Sequence, residues 1–516
     1  MINKIKTVAL DAMEGVLVEI ETDISNNLPY FHIIGMADTS VREAAQRVKR
    51  AIINSDFPYP RGKITVNLSP AYLHKKGSHY DLGIAVGVIL AQGDLNCNVD
   101  RTLFLGELSL SGNVLPSRAV LPMIMAVLEN NVHGIKEIIL AKENCAECYL
   151  LTRGTDIKLI PADNLKSVIG HLKGELIKAY CETNPTERKP LDLDFADVKG
   201  QNMAKEAITV AVAGNHNLLM IGPPGSGKTM LARRIGTILP QMTLKEQIES
   251  TKIYSYAGKL TGNRPFINER PFRHLTSNIT IASLLGGGNV PMPGEVSYAH
   301  NGVLFWDEML ETPNRILEHL RVPLSEKEVR IVRKEKQIVF PSDFLFVGAS
   351  NPCKCGFLGD ENKTCTCTQT EITSYRNKLS GPLADRIDMA IELTRVNYKE
   401  LGDDDTKFNS VSSYDMRKTI LRVKDVQKER FKHHNFKSNG SIDSKHITEF
   451  CGLNKEGKDF MQSLYEKNHL SPRRYHKILK IARTIADIKN KDDIFIEELA
   501  TAFHYTRFLD ERSVGE

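Results

Sequence analysis

The sequence has 516 residues, which exceeds one ordinary hydrophobic core and predicts about three domains. Its 68 Lys and Arg residues against 63 Asp and Glu residues give a formal charge of +5, which neither requires nor excludes a nucleic-acid partner. No apolar run reaches the roughly eighteen residues of a membrane span, and Asp11 and Glu14 interrupt the amino terminus where a signal peptide would be apolar, so we expect a cytoplasmic protein without a membrane partner.

The order of predicted elements divides the chain into four parts. Residues 1–168 alternate β-rich runs such as VLVEIETDI with helical patterns such as SVREAAQRVKRAII, which predicts an α+β domain. Residues 169–193 are polar and contain Pro185 and Pro190, so they are predicted to form a linker. Strands and helices alternate again over residues 194–395, and residues 396–516 are almost wholly helical in pattern.

The segment NLLMIGPPGSGKTMLARRIGTIL carries the pattern of a phosphate-binding loop between an apolar strand and an amphipathic helix. Glycines let backbone N–H groups surround phosphates, a lysine reaches the β and γ phosphates, and a threonine hydroxyl binds Mg²⁺. We therefore expect ATP and Mg²⁺ as cofactors. The predicted contact residues are Gly222, Pro223, Pro224, Gly225, Ser226, Gly227, Lys228 and Thr229.

Two further apolar strands end in polar residues that suit nucleotide hydrolysis. GVLFWDEM ends in Asp307 and Glu308, and buried strands rarely accept adjacent carboxylates. Asp307 is predicted to contribute to the Mg²⁺ site, and Glu308 to polarise the attacking water. FLFVGASN ends in Asn351, whose amide could hold that water against the γ-phosphate.

This order of motifs, followed by LSGPLADRIDM, resembles an AAA+ ATPase of the magnesium-chelatase type, and the sequence is most similar to the bacterial ComM/YifB group. The shared motifs are HIIGMADTSVREAAQRVKRAI, GEVSYAHNGVLFWDEM, NPCKCGFLGD, LSGPLADRID and LSPRRYHKILKIARTIAD. The resemblance implies an α/β protein with an AAA+ P-loop core, a C-terminal helical lid and assembly into a homo-hexameric ring. It also implies a link to DNA branch migration in natural transformation.

The resemblance assigns roles to two arginines. Arg386 in GPLADRID falls at the position of the arginine finger, which would neutralise charge on the transferred phosphoryl group. Its alternative is a structural ion pair with Asp385 or Asp388. Arg473 matches the second sensor arginine, although the adjacent Arg474 competes for that assignment and a solvated helix start is the other interpretation.

The amino-terminal region resembles the proteolytic domain of Lon proteases, which has a ribosomal S5-like fold. A Lon protease needs a nucleophilic serine activated by a lysine. Here Asp81 stands near the nucleophile position, and SRAVLPMI, where the base would lie, contains no lysine. Ser78 is therefore interpreted as a turn or helix-cap residue, and protease activity is not expected.

Four of the nine cysteines lie close together, as C-x-C, nine residues, then C-x-C. An odd number of cysteines argues for reduced thiols, and four thiolates suit tetrahedral Zn²⁺. Simply reduced cysteines and an iron–sulfur cluster are the alternatives. The cluster consists of Cys353, Cys355, Cys365 and Cys367. Cys145 and Cys148 have no partner pair nearby and are interpreted as helix-packing residues.

The segment EVRIVRKEKQIVF alternates enough to predict a β-hairpin, whose cations could follow a DNA backbone without reading its sequence. An ordinary solvated hairpin is the alternative. The candidate DNA contacts are Arg330, Arg333, Lys334 and Lys336. The glycine-rich stretch SLLGGGNVPMPGE predicts a second mobile pore element.

Two classes of function remain open from the sequence. The first is an ATP-driven ring motor on branched, single-stranded or double-stranded DNA, with branch migration or helicase activity in recombination. The second is a protein-remodelling ATPase, either an unfoldase or a chelatase-like subunit acting on a partner protein. DNA-stimulated ATP hydrolysis would separate them.

Overall fold

The computed structural model describes residues 3–93, 95, 97–129, 134–181, 193–261, 264–333, 336–360, 362–395 and 411–507. These residues form two compact units. The first is built from the described residues within Met1–Arg188, Thr243–Asn268 and Ile331–Val339, and the second from those within Lys189–Met242, Glu269–Arg330 and Phe340–Glu516. Of the predicted linker, residues 182–192 lie outside the described part of the chain, and residues 169–172 belong to a helix. The predicted domain boundaries stay predictions.

The secondary-structure elements are numbered in chain order. The strands are β1 (Asn3–Asp11), β2 (Glu14–Ser25), β3 (Phe31–Ile34), β4 (Lys63–Ser69), β5 (Thr102–Leu105), β6 (Glu107–Leu108), β7 (Val114–Leu115), β8 (Glu137–Ala141), β9 (Lys158–Ala162), β10 (Leu218–Ile221), β11 (Phe272–Leu275), β12 (Gly286–Gly287), β13 (Met292–Pro293), β14 (Val303–Trp306), β15 (Glu328–Arg333), β16 (Lys336–Pro341), β17 (Leu345–Ser350) and β18 (Met389–Glu392). The helices are α1 (Thr39–Asn54), α2 (Asp81–Ala91), α3 (Val120–Leu128), α4 (Lys142–Thr152), α5 (Leu165–Leu172), α6 (Asn202–Gly214), α7 (Lys228–Ile238), α8 (Leu244–Tyr256), α9 (Ile281–Leu285), α10 (Glu295–Tyr298), α11 (Asn314–Leu317), α12 (Arg321–Glu326), α13 (Gln369–Arg376), α14 (Gly381–Ala384), α15 (Ser413–Arg430), α16 (Ile447–Phe450), α17 (Lys455–Lys467), α18 (Pro472–Ile488) and α19 (Ile496–Arg507). Short 3₁₀ helices span Phe195–Asp197, Met309–Glu311, Glu318–Leu320 and Asn439–Ser441.

The first unit contains a seven-stranded mixed sheet in the order β3-β4-β2-β1-β5-β8-β9. Strands β1, β2 and β4 pair antiparallel, whereas β5, β8 and β9 pair parallel. Helix α1 begins after Asp38, whose side chain accepts a hydrogen bond from Val41 N. Its buried residues recur at helical spacing, and α2 is buried from Asp81 to Leu90, so α2 is the central helix of this unit.

A buried ion pair joins α1 to α2. Arg47 Nε lies 2.7 Å from Asp81 Oδ2, and Arg47 Nη2 lies 3.0 Å from Oδ1. The Asp81 side chain is fully buried, and this burial raises its pKa although the Arg47 hydrogen bonds oppose the shift. Asp81 is therefore a structural carboxylate.

The residues around Ser78 bear on the predicted loss of protease chemistry. The Ser78 hydroxyl donates to the Glu107 carboxylate, and its carbonyl accepts from Asp81 N in a turn. Lys75 is fully buried, its ammonium contacts the Pro70 carbonyl, and burial lowers its pKa. These contacts engage Ser78 with an acid instead of a lysine base. The Lon-like fold itself stays a prediction.

The second unit is organised by a five-stranded sheet in the order β11-β14-β17-β10-β18. Every neighbouring pair in it is parallel. Strands β10, β14 and β17 are buried along their whole length, as expected for a parallel sheet covered on both faces. The carboxyl ends of all these strands therefore meet at one edge.

The C-terminal helices share the core of the second unit. Helix α18 packs against α19, α6 and α15. Its buried Ile478, Leu479, Ala482 and Ile485 join the same apolar cluster as the sheet residues. The assignment of these helices as a lid stays a prediction. In the part of the chain that the structure describes, no helix is both long and apolar enough to cross a membrane.

The Arg47 and Asp81 pair yields a stability prediction. Replacing Arg47→Met would leave a buried carboxylate without its partner, so we expect the first unit to lose about 3 kcal/mol of unfolding free energy. The single tryptophan, Trp306, lies in the second unit. Urea unfolding followed by far-UV circular dichroism should therefore develop an early transition that Trp306 fluorescence does not share.

Arg50→Met is the matched control, because Arg50 is exposed on the same helix. It should change stability by no more than about 0.5 kcal/mol. Adding Asp81→Asn to Arg47→Met should recover part of the loss, since the amide removes the buried charge. An Arg47→Met protein that unfolds like the Arg50→Met control would contradict a stabilising role for the pair.

Candidate functional site

The glycine-rich loop of residues 222–229 follows the central strand β10 and leads into α7. Strand β10 lies between β17 and β18, so the loop is flanked by the segments that leave those two strands. Gly222 N donates to Ser350 O at the end of β17, and Leu393 N, just after β18, donates to Ile221 O. The loop is thus held at the carboxyl edge of the sheet, where the first backbone N–H groups of α7 are exposed to a ligand.

Lys228 points into this loop. Its ammonium contacts the carbonyls of Gly222 at 2.6 Å and Pro223 at 3.0 Å, and Asn351 Oδ1 at 3.3 Å. Burial lowers the pKa of Lys228, while Asp307 and Glu308 act in the opposite direction. The predicted sensor Asn351 and the predicted phosphate-binding lysine are therefore direct neighbours.

A hydroxyl and a carboxylate form a candidate Mg²⁺ site beside the loop. Thr229 Oγ1 donates to Asp307 Oδ2 at 2.7 Å. Two oxygen donors next to phosphate-binding N–H groups fit the way Mg²⁺ is held by one or two protein oxygens together with substrate phosphates. The donor set therefore fits the cofactor that the sequence predicts.

Glu308 lies immediately beyond Asp307 and is exposed. Its backbone has φ +49°, a left-handed conformation that is uncommon for a glutamate. Its N–H donates to Asp307 Oδ1 at 3.0 Å. Strain of this kind is often stored where a side chain must face a ligand. The phosphate-binding loop therefore meets three side chains at the carboxyl edge of the sheet: Asp307, Glu308 and Asn351.

Arg386 lies at the opposite edge. Its carbonyl accepts from Asn217 Nδ2 at 2.9 Å, and Asn217 immediately precedes β10. The length of β10, roughly 13 Å at about 3.3 Å per residue, separates this position from the phosphate loop. The Arg386 guanidinium donates to Arg321 O at 3.0 Å and Ser325 Oγ at 2.6 Å.

The alternative role for Arg386 is a structural ion pair with Asp385 or Asp388, but both acids contact other groups. Asp385 lies 3.6 Å from Arg473 Nη1, and Asp388 Oδ2 accepts from Asn217 N at 2.8 Å. Both acids next to Arg386 in sequence thus face other groups. Arg386 lines an open cleft of about 340 Å³.

The structure distinguishes the two adjacent arginines at the start of α18. Arg473 has 74% of its side chain exposed. Arg474 is buried, with its guanidinium 5.5 Å from the Phe503 ring centroid and its Nε 3.3 Å from Thr506 Oγ1. Burial lowers the pKa of Arg474 to about 10. Arg474 therefore packs the C-terminal helices, and Arg473 is the arginine available to a ligand.

The four clustered cysteines come together after β17. Their sulfur atoms all lie within 4.8 Å of one another, and no other such group of His, Cys, Asp or Glu ligands occurs among the residues described. The backbone N–H of Phe357 is the largest of several effects that lower the pKa of Cys355 to about 5, and the thiolate is the form that binds metals. Cys145 and Cys148 are both buried in α4, as a packing role requires.

The predicted hairpin is present as β15 and β16, with Val329, Ile331, Ile338 and Phe340 buried. Arg330 and Arg333 are exposed, and Arg330 pairs with Glu328. Lys334 lies outside the described residues, as does the side chain of Lys336.

A partly buried acid, Asp343, fixes the base of this hairpin. Asp343 lies 2.9 Å from Lys327 Nζ, just before β15, and 3.2 Å from Lys437 Nζ in the C-terminal region. Burial raises the pKa of Asp343, but the two lysines outweigh it and leave the value below normal. The hairpin base is thus tied to the segment that connects α15 to the 3₁₀ helix at Asn439–Ser441.

The glycine-rich stretch also forms a small hairpin. Strands β12 and β13 pair antiparallel, and the tip exposes Val290.

His274 is a candidate site residue that sequence reasoning did not assign. It lies on β11, next to β14, with its Nε2 3.8 Å from Asp307 Oδ2. Its ring stacks on Phe305 at a centroid distance of 5.0 Å. Only the pairing of β11 with β14 brings it to the carboxylate, and no local pattern in the sequence predicts that pairing.

Three family models match the sequence. The one described as magnesium chelatase, subunit ChlI, matches residues 194–401, which include the nucleotide site described above. The one described as subunit ChlI of Mg-chelatase matches residues 20–144, and the one described as magnesium chelatase, subunit ChlI C-terminal, matches residues 410–506.

Two similar proteins align with nearly the whole chain, and a third aligns with about a third of it. The competence protein ComM of Haemophilus influenzae is 38% identical over 505 residues, which cover 96% of this chain and 95% of that protein. The protein YifB of Escherichia coli is 37% identical over 492 residues, covering 95% and 94%. The magnesium-chelatase 67 kDa subunit of Chlorobaculum parvum is 26% identical over 170 residues, covering 31% and 23%.

The position of His274 leads to a prediction about magnesium. Groups that orient a metal-binding carboxylate typically contribute 10–100-fold to metal affinity. We expect His274→Ala to raise the Mg²⁺ concentration for half-maximal ATP hydrolysis by about tenfold. His504→Ala, on the exposed face of α19, is the control. Identical Mg²⁺ titrations for the two variants would show that His274 does not support Asp307.

Proposed function

The chain belongs to the ComM/YifB family of magnesium-chelatase-like AAA+ ATPases, and from this premise we propose that it is a homo-hexameric, ATP-hydrolysing motor that moves branched DNA. The family implies ATPase activity. Coupling of that activity to DNA, with branch migration or helicase action during recombination or natural transformation in the cytoplasm, is the proposed part.

Each group at the carboxyl edge of the sheet has a role in this proposal. The loop N–H groups and Lys228 bind the β and γ phosphates, and Thr229 and Asp307 hold Mg²⁺. Glu308 polarises the attacking water, while Asn351 orients it. Bound Mg²⁺ would supply charge neutralisation on the phosphate oxygens.

The observation that carries the ring proposal is the position of Arg386. It lies at the amino edge of the sheet, away from the loop of its own chain, and it lines an open cleft. The exposed Arg473 is close to Arg386, because Arg473 Nη1 lies 3.6 Å from Asp385, the residue before Arg386. Phosphoryl transfer in this class of enzyme uses an arginine at the γ-phosphate in addition to the loop lysine and Mg²⁺, so Arg386 would have to act on the site of a neighbouring chain. Head-to-tail contacts of this kind form a closed ring when the rotation between neighbouring chains divides a full turn, as the proposed hexamer requires.

DNA as the substrate is supported by the hairpin and by the similar protein named for competence. The exposed Arg333 suits a phosphate backbone, whereas Arg330 is partly neutralised by Glu328. Lys334 and Lys336 stay candidate contacts on the basis of the sequence. The hairpin base is anchored through Asp343, so movement of the C-terminal helices would reach it. The exposed β12–β13 hairpin offers a second contact.

A protein-remodelling ATPase is the second candidate. It is favoured by the family models named for magnesium chelatase and by the similarity to a magnesium-chelatase subunit. In that case the same nucleotide site would drive a change in a partner protein. For both candidates, residues 1–168 are proposed to form a non-proteolytic Lon-like domain.

The cysteine cluster is proposed to hold a structural Zn²⁺. Four soft thiolates within reach of one another match the preferred ligand set of this ion. The site would be structural because all four positions are taken by protein sulfurs.

Branch migration on a labelled synthetic junction tests the proposed motor. The native protein with ATP and Mg²⁺ should convert the junction into strand products. Glu308→Gln should bind ATP but hydrolyse it at least about 100-fold more slowly, and it should yield no products. Glu311→Gln, an exposed acid in the next turn, is the control. An untouched junction with DNA-indifferent ATP hydrolysis would reject the DNA motor and favour a protein client.

Mixing two inactive variants tests the shared site. Arg386→Ala lacks the proposed finger, and Lys228→Ala lacks the phosphate contact. If Arg386 acts on the neighbouring chain, an equal mixture restores a complete site wherever an intact loop meets an intact finger. Random assembly predicts about a quarter of native ATPase activity, against almost none for either variant alone. No recovery after verified mixed assembly would place Arg386 outside the neighbour's site.

A further inference from the structure

The loop that carries the four cysteines also contacts the phosphate-binding loop. It begins directly after Asn351 at the end of β17, and it brings together the sulfurs of Cys353, Cys355, Cys365 and Cys367. A metal bound there would therefore be joined to the nucleotide site through a short segment, which we call the cysteine loop (residues 352–360 and 362–367).

The sulfur geometry fits one tetrahedral ion. Cys353 Sγ lies 3.3 Å from Cys355 Sγ and 3.6 Å from Cys365 Sγ, and the last two sulfurs are 3.5 Å apart. Cys355 N donates to Cys367 Sγ at 3.4 Å. Zinc–sulfur bonds of about 2.3 Å in a regular tetrahedron imply sulfur separations of about 3.8 Å. The first three sulfurs would need to move apart by only a few tenths of an ångström, and Cys367 Sγ lies within 4.8 Å of each of them.

Gly356 of the cysteine loop packs directly against Pro224 of the phosphate loop. A Cβ atom at this position would lie 2.9 Å from Pro224 Cδ and 3.8 Å from Asn351 Cγ. Its φ of +84° also favours glycine. Only a residue without a side chain lets the cysteine loop lie this close to the phosphate loop and the sensor asparagine.

A second attachment lies in the middle of the cysteine loop, between its two cysteine pairs. The fully buried Asp360 carboxylate lies 2.8 Å from Arg395 Nε, and the Arg395 guanidinium lies over the Phe357 ring. The residue before Arg395 accepts a hydrogen bond from Gln201 Nε2 at 2.6 Å, and the same amide donates to Ser226 O in the phosphate loop at 3.3 Å. The phosphate loop is therefore contacted from two sides by structure that the cysteine loop supports.

We propose that one Zn²⁺ on the four thiolates holds the cysteine loop as a clamp on the phosphate loop, and that this clamp sets nucleotide affinity. The inference rests on the proposed nucleotide-binding function and adds a structural element that regulates nucleotide affinity. Loss of the metal would release Gly356 from Pro224 and allow the phosphate loop and Asn351 to move, so the metal acts on ATP without touching it.

Two glycines of the loop provide a matched pair of variants. Gly359 has φ +77°, close to that of Gly356, but a Cβ atom there would meet nothing within 4 Å. Gly356→Ala and Gly359→Ala therefore introduce similar backbone strain, and only Gly356→Ala disturbs Pro224. Both keep all four thiols. Cys355→Ser removes a ligand, and Cys181→Ser is its control because Cys181 is exposed outside the cluster.

Zinc content and affinity for a fluorescent ATP analogue would be measured on the full-length chain. We expect about one zinc per chain in the native protein, Gly356→Ala, Gly359→Ala and Cys181→Ser, with a clear loss in Cys355→Ser. We expect nucleotide affinity to fall about tenfold or more in Gly356→Ala and Cys355→Ser, and less than about threefold in the two controls. Displacing zinc from the native protein with a mercurial should reproduce the loss even if a variant fails to fold.

Three results would overturn the clamp. If the native protein binds nucleotide and the Gly356→Ala and Gly359→Ala variants bind it equally well, the proposed ATPase function would stand. The coupling between the cysteine loop and the phosphate loop would be rejected. A native protein that neither contains nor takes up zinc would rule out zinc as the bound metal. So would the visible absorption of an iron–sulfur cluster. Native protein that retains zinc but binds no nucleotide would instead overturn the proposed function on which the inference rests.

Discussion

The parallel alignment of five strands in the second unit is the constraint on which the candidate site depends. A parallel sheet presents all its carboxyl ends at one edge, so residues far apart in sequence become neighbours there. Thr229, Asp307 and Asn351 follow three different strands of this sheet, and their side chains meet around Lys228. The same alignment sends Arg386, which precedes a strand, to the other edge.

Those parts of the site that depend on local chemistry could be predicted from the sequence. A glycine-rich loop before a lysine, and two acids closing an apolar run, together form a pattern typical of nucleotide sites. The alternation of strands and helices over residues 194–395 could also be predicted, and the structure shows that the strands of this core are parallel. Details that depend on strand pairing could not be predicted. His274 reaches Asp307 only because β11 pairs with β14. Likewise, no sequence spacing relates Gly356 to Pro224.

The two adjacent arginines illustrate a different limit. A sequence pattern places Arg473 and Arg474 equally at the start of a helix, but successive residues on a helix point about 100° apart. The cap at Ser471 fixes where α18 begins, and tertiary packing then turns Arg474 inward over Phe503. The functional assignment of Arg473 therefore depends on helix phase and on a partner helix that lies beyond any local window.

The phosphate loop and Arg386 lie at opposite edges of the sheet, which has a consequence for how a ring of these chains would be loaded onto DNA. If each catalytic site takes its loop from one chain and its arginine from the next, a closed ring has as many complete sites as chains. An open ring has one fewer, because its first and last chains each present an unmatched edge. Opening to admit a DNA strand without a free end would thus silence one site, and closure around the strand would restore it.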